Sequence, residues 1–299
     1  MISAKTDFES FLKGEVNKVK GVYFPVKSSY LRQIIGKKVP ITKLHPNPSD
    51  EFCNPEIGPN YEIISRYEAQ FRHTQGNFTI DGFGRSGAAE PLICQKAAPD
   101  GYLILNGHHR WAAALRAGIT HVIISIVNLT QEKDIERMLK ASSARQRVSL
   151  DLDEVVFVSG NDVPMEKPLG FPWSRLYKER VRFGLPALFY TLNTKEYDIW
   201  VYTSKYYSYD YLRHFFRHSH LPVSGIVTGA GRNNSDPKTA EAIRKQFEVK
   251  YTTNVHIDSK MVVRTSRDSA QYEDYPLSGS PDTWSREVLE IVEGWHHHG

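Results

Sequence analysis

Asp151 and Asp153 stand close together in a β-rich run, VSLDLDEVVFV. In an extended strand, alternate residues share a face, so both carboxylates project toward the crevice at the carboxyl edge of a parallel sheet while Leu152 points away. Two carboxylates held that close repel unless a cation or a proton lies between them. Oxygen ligands of this kind suit Mg²⁺, which also binds phosphate oxygens and leaves one carboxylate as a nucleophile or proton carrier. For the pair alone, a solvated strand end with two stray aspartates is the competing reading. Three later features add to it. Thr203 and Ser204 follow the apolar run DIWV, where a hydroxyl and backbone N–H groups could hold a phosphoryl oxygen. Lys238 falls in the first turn of the helical stretch DPKTAEAIRKQF and could neutralise phosphate charge, with Lys245 and Lys250 near enough to compete. Asp258 closes the strand-like run NVHID and supplies a third carboxylate for a hard cation.

The order Asp-x-Asp, Thr, Lys, Asp, each at or just beyond a strand, resembles the haloacid dehalogenase-like phosphohydrolases over residues 148–270. The resemblance implies Asp151 as the nucleophile that forms an aspartyl-phosphate and Asp153 as the general acid/base. It implies Thr203, Ser204 and Lys238 as phosphate ligands, and Mg²⁺ held by Asp151, Asp153 and Asp258. That family's last motif carries a second acid, whereas here Asp258 is followed by Ser259. Neither segment between the motifs is long enough for a large cap domain. A capless site of this kind is open to bulky phosphorylated substrates, including a nucleotide, a nucleic-acid end or a phosphorylated metabolite.

A second constellation lies nearer the amino terminus. In LILNGHHRWAAALRAG, Gly107 separates a strand from a helix whose first residues are His108, His109 and Arg110. Helix-start amides form an anion site, and an arginine can clamp phosphate with two parallel bonds. The competing reading is a glycine turn with a helix packed through Trp111 and Leu115. The stretch from VPITKLHPNP through EPLICQ to HVIISIV resembles the ParB/sulfiredoxin-like fold. That resemblance implies nucleotide phosphates (ATP, ADP or CTP) on Gly107, His108, His109 and Arg110. The serine kinases of the superfamily carry a catalytic acid after the first strand, where Asp50 and Glu51 stand as candidates or as plain turn acids.

These residues need elements to position them. Phe8, Leu12 and Val16 recur at helical spacing and predict an amphipathic arm within residues 1–30. A ParB/sulfiredoxin-like α+β domain is expected over 31–146, with a glycine-rich loop after His73 and the long charged helix TQEKDIERMLKASSARQR at its end. A Rossmann-like parallel-sheet domain is expected over 147–299, from strand-like runs alternating with helical stretches. The class is therefore α/β, with 299 residues suiting two domains. A net charge of +4 is too mild to argue for nucleic acid as a partner without a localised patch. One candidate is the aromatic and basic stretch from Tyr206 to His218, which could stack on bases or simply form core. Two cysteines exclude a disulfide scaffold, no apolar run approaches a membrane span, and a cytoplasmic location is expected. Two functions follow: a Mg²⁺-dependent phosphatase, with kinase activity added by the amino-terminal domain, or a nucleotide-dependent nucleic-acid-binding or regulatory protein whose second domain is degenerate.

Overall fold

Alternating apolar positions set the strands of this chain, and apolar stripes decide which face each helix buries. The computed structural model describes residues 5–73, 90–159, 162–230, 237–267 and 271–295. The chain forms two compact units, 1–128 and 129–299. The glycine-rich stretch after His73 and the three terminal histidines lie outside the described residues. Among those described, no helix is long and apolar enough to cross a membrane.

The first unit runs α1 (Lys5–Val19), β1 (Phe24–Pro25), α2 (Tyr30–Ile34), β2 (Lys37–Pro40), β3 (Leu44–His45), α3 (Tyr61–His73), β4 (Leu92–Ala98), β5 (Tyr102–Asn106), α4 (His108–Arg116) and β6 (His121–Ile126). Its sheet has the order β2-β6-β4-β5-β3, with β1 beside β4. The β4–β5 hairpin leads straight into α4, as its turn residues predict. The expected arm is part of the core instead. Phe8 is fully buried among Phe52, Tyr61 and Trp111, and Leu12 and Val19 are buried as well. Full burial of one such side chain contributes about 1.5–3 kcal/mol, so α1 is held firmly. Helical spacing shows that a stripe exists, and only the fold shows what it covers.

The second unit runs α5 (Glu132–Lys140), β7 (Gln146–Asp151), α6 (Trp173–Leu176), α7 (Leu185–Thr194), β8 (Tyr197–Thr203), α8 (Tyr209–His218), β9 (Gly225–Thr228), α9 (Pro237–Lys250), β10 (Thr253–Ile257), β11 (Met261–Ser266), β12 (Gln271–Pro276) and α10 (Trp284–Gly294). Its sheet has the order β12-β11-β10-β7-β8-β9. Strands β10, β7, β8 and β9 are mutually parallel, and β11 and β12 extend the edge antiparallel. Side chains of β8 alternate between two cores. Ile199 and Val201 join Leu188, Phe215 and Val288 from α7, α8 and α10. Trp200 joins Ile135 and Leu139 from α5 with Phe247 and Tyr251. Through that second core α5 belongs to this unit, so the chain divides earlier than the change in sequence character near residue 146.

Two local expectations are corrected. The charged helix stops at Lys140, and the chain has already entered β7 at Gln146. The run VSLDLDEVVFV is not one strand, because at Leu152 it enters a single wide helical turn closed by the Phe157 N–H on the Leu152 carbonyl at 2.7 Å. Leu152 is fully buried.

Candidate functional sites

The parallel pairing of β7 with its neighbours brings three of the predicted residues to one edge of the second sheet. Asp151 is the last residue of β7 and pairs with Tyr202, immediately before Thr203 at the end of β8. On the other side Leu150 pairs with Ile257, so Asp258 emerges beside Asp151. Such a carboxyl edge is where open α/β sheets place their ligands.

The turn after β7 orients the first carboxylate. Asp151 Oδ1 accepts the backbone N–H groups of Asp153 and Glu154 at 2.7 and 2.8 Å, while Oδ2 has no hydrogen-bond partner among the described residues. Asp153 reaches the site by this turn and not by strand alternation. Its Oδ2 accepts from Thr203 Oγ1 at 2.5 Å, and its Oδ1 pairs with Lys205 Nζ at 3.0 Å. Thr203, almost wholly buried, accepts in turn from the Lys205 N–H at 3.0 Å. Burial, then the charges of Glu179 and Asp153, hold the Tyr207 proton more tightly than usual. Ser204 is exposed next to Thr203.

Asp258 Oδ1 accepts from Ser259 Oγ and the Lys260 N–H, both at 3.0 Å. Burial opposes its charge, but these donors and His256 outweigh that and keep the carboxyl below its ordinary range. The expected three-carboxylate cage is not assembled. Among the described residues no group of three His, Cys, Asp or Glu side chains is placed to hold a metal. Asp153 is drawn instead onto Thr203 and Lys205. What fits Mg²⁺ is the Asp258 oxygen left clear beside Asp151, because Mg²⁺ takes one or two carboxylates and completes its shell with water and phosphate.

The lysines separate by role. Lys238 lies in the first turn of α9, and its side chain is outside the described residues. Lys250 is structural: Nζ donates to the Leu139 and Ser142 carbonyls and pairs with buried Asp198 at 3.2 Å. Asp198 also accepts from Tyr251 Oη at 2.7 Å, and that hydroxyl accepts from Trp200 Nε1 at 2.9 Å. Lys245 is exposed and, among the described residues, pairs with Glu241 at 3.8 Å. Lys205 is the residue that sequence reading missed, since a lone lysine two positions past a threonine carries no signal. The aromatic stretch divides likewise, with Tyr209, Phe215 and Phe216 in the core.

In the first unit, Gly107 sits at φ 104° between β5 and α4. A Cβ there would lie 2.5 Å from Leu92 Cδ2, so both backbone and space require glycine. The turn presents the first amides of α4, which no side chain caps. The basic residues behind it are committed elsewhere. The buried Arg110 guanidinium donates to the Glu90 carbonyl at 2.5 Å, the Pro91 carbonyl at 3.4 Å and Asn106 Oδ1 at 3.2 Å. The expected phosphate fork is therefore an anchor for the start of β4.

His108 is buried and stacked on Phe52. Its Nε2 accepts the Asn47 N–H at 3.2 Å, which places its proton on Nδ1, 3.4 Å from Asp50 Oδ1. Burial pushes its pKa down to about 4, with Asp50 opposing and His109 adding, so the ring is neutral at pH 7. His109 accepts the Asn60 N–H at 3.1 Å and is lowered by burial against the pull of Asp50. Burial disfavours a charge on either imidazole, and the helix-start amides offer an anion its donors here. Asp50 caps the turn at Phe52 and stands beside His108, whereas Glu51 is exposed.

Residues 69–143 match the ParB N-terminal domain. No curated protein matches the chain. Among solved structures, the chain is similar to the C-terminally truncated chromosome-partitioning protein ParB from Caulobacter crescentus complexed with CTP-gamma-S. That likeness is at 26% identity over 34% of this chain and 49% of that one, with a TM-score of 0.24. The same protein complexed to the centromeric parS site matches at 25% identity over 35% and 48%, with a TM-score of 0.22. The chain spans about half the length of these structures.

Proposed function

We propose that the second unit is a Mg²⁺-dependent phosphohydrolase of haloacid dehalogenase type acting through Asp151, and that the first unit binds nucleotide phosphates at the start of α4. The observation that carries the first part is the bond from Thr203 to Asp153 beside Asp151 on the neighbouring strand end. Asp151 Oδ2 is the nucleophile: it forms a bond to phosphorus as the ester P–O bond breaks, and Asp153 gives its proton to the leaving oxygen. A water then attacks the aspartyl-phosphate, Asp153 takes the proton, and Asp151 and inorganic phosphate are released. Thr203 positions Asp153, and the exposed Ser204 just past it holds phosphoryl oxygens. Asp258, beside Asp151, would hold Mg²⁺, which would supply charge neutralisation for the phosphate. The substrate class is a nucleotide, a nucleic-acid end or a phosphorylated metabolite. A phosphate-release screen over these classes, with and without Mg²⁺, tests it.

The match to the ParB N-terminal domain favours a second reading, a nucleotide-dependent nucleic-acid-binding or regulatory protein. It draws on the uncapped amides of α4 at Gly107 as a seat for ATP, ADP or CTP phosphates, with Asp50 beside His108 as the acid of any kinase step. Calorimetry with each nucleotide separates the readings. Binding without phosphate release from any ester supports the regulatory one, and release that depends on Asp151 supports the enzyme.

A further inference from the structure

We propose that Lys205 is a phosphate ligand parked on the acid Asp153, which it leaves for the substrate phosphoryl group; this deepens the phosphohydrolase reading and rests on it. Asp153 Oδ2 accepts the Thr203 hydroxyl, whereas Oδ1 meets Lys205 Nζ as an ion pair at 3.0 Å without a hydrogen bond. An ionised carboxylate can only accept, so a carboxyl that is to protonate a leaving group needs one oxygen cleared to carry the proton. The Thr203 bond is not the one to give way. Thr203 is buried and its oxygen already accepts the Lys205 N–H, which commits the hydroxyl proton to Asp153.

Lys205 is the mobile partner. Its side chain is 62% exposed against 13% for Asp153, and a lysine is a point charge on a flexible stem with three rotatable donors. A phosphoryl dianion offers it more charge and more acceptors than one carboxylate oxygen. Transfer of the ammonium to phosphate would leave Asp153 Oδ1 open. The pairing thus holds the ammonium at the strand edge beside Asp151 until phosphate arrives.

The test is a double-mutant cycle on binding of inorganic phosphate, measured by calorimetry in Mg²⁺, beside turnover of an aryl and an alkyl phosphate. Asp153→Asn removes the competitor for Lys205 and should tighten phosphate severalfold. Adding Lys205→Ala to Asp153→Asn should weaken phosphate about tenfold, the loss of one charge-assisted contact. Lys205→Ala alone should raise KM for both esters, and Lys205→Arg should restore most of it. If the double variant binds phosphate as Asp153→Asn does, Lys205 never touches phosphate and the proposal is overturned while the phosphohydrolase stands. If the parent neither binds phosphate nor releases it from any ester, both fall together.

Discussion

Thr203 Oγ1 donates to Asp153 Oδ2 at 2.5 Å across two neighbouring segments, the end of β8 and the turn after β7. The bond joins a residue placed by strand register to one placed by a helical turn. It fixes the position of the acid while the adjacent Asp151 keeps one oxygen clear. Thr203→Val preserves shape and removes the hydroxyl, leaving Asp153 Oδ2 and the Lys205 N–H without this partner. A loss of about 1–3 kcal/mol is expected in urea unfolding, with Thr203→Ser close to the parent. A Val variant as stable as the parent would show that the bond contributes nothing to the fold.

Lys250 tests the division of roles among the lysines. Lys250→Met leaves buried Asp198 without its cation and should destabilise the second unit by about 3–5 kcal/mol. Turnover per folded molecule should be retained, because Nζ is committed to Asp198 and two carbonyls. Loss of turnover at full stability would return Lys250 to the phosphate site.

Arg110 is expected to act on stability. Arg110→Ala removes the donors to the Glu90 and Pro91 carbonyls and Asn106, and each hydrogen bond of this charged kind is worth about 1.5–3 kcal/mol. Thermal unfolding should show the first unit melting well below the parent. An unchanged melting temperature combined with weakened nucleotide binding would restore the phosphate fork.

The His108 ring gives a pH dependence of defined sign. Its folded pKa, about 4, lies below the ordinary 6.5, so the unfolded chain binds the proton more readily. Its contribution is fully present above pH 6.5 and is lost as pH falls toward 4, on the order of 3 kcal/mol in all. His109 and His45 shift in the same direction through burial. His108→Gln should flatten the fall in melting temperature over that window, and an unchanged slope would contradict the buried neutral ring.

The strand-end positions of Asp151, Thr203 and Asp258 were legible in the sequence, because apolar runs mark parallel strands and polar residues just past them fall at one edge. Asp153 was found for a partly wrong reason, since the chain turns helical at Leu152 where alternation would continue a strand. The partners of Arg110 and His108 were not legible. Which carbonyl or amide takes a buried donor is settled by tertiary packing, as in Arg110 meeting a carbonyl 20 residues before it. Lys205 escaped for the same reason, and so did the burial of α1, whose stripe does not say what covers it.

Nucleophilic attack by Asp151 is decided by phosphate release from Asp151→Asn in Mg²⁺, using the best ester of the parent's screen. The substitution keeps an acceptor for the Asp153 and Glu154 amides, so the fold should persist by circular dichroism. The expected result is a folded protein with turnover reduced to background. Phosphate release at the parent's rate from that folded variant would show that Asp151 is not the nucleophile.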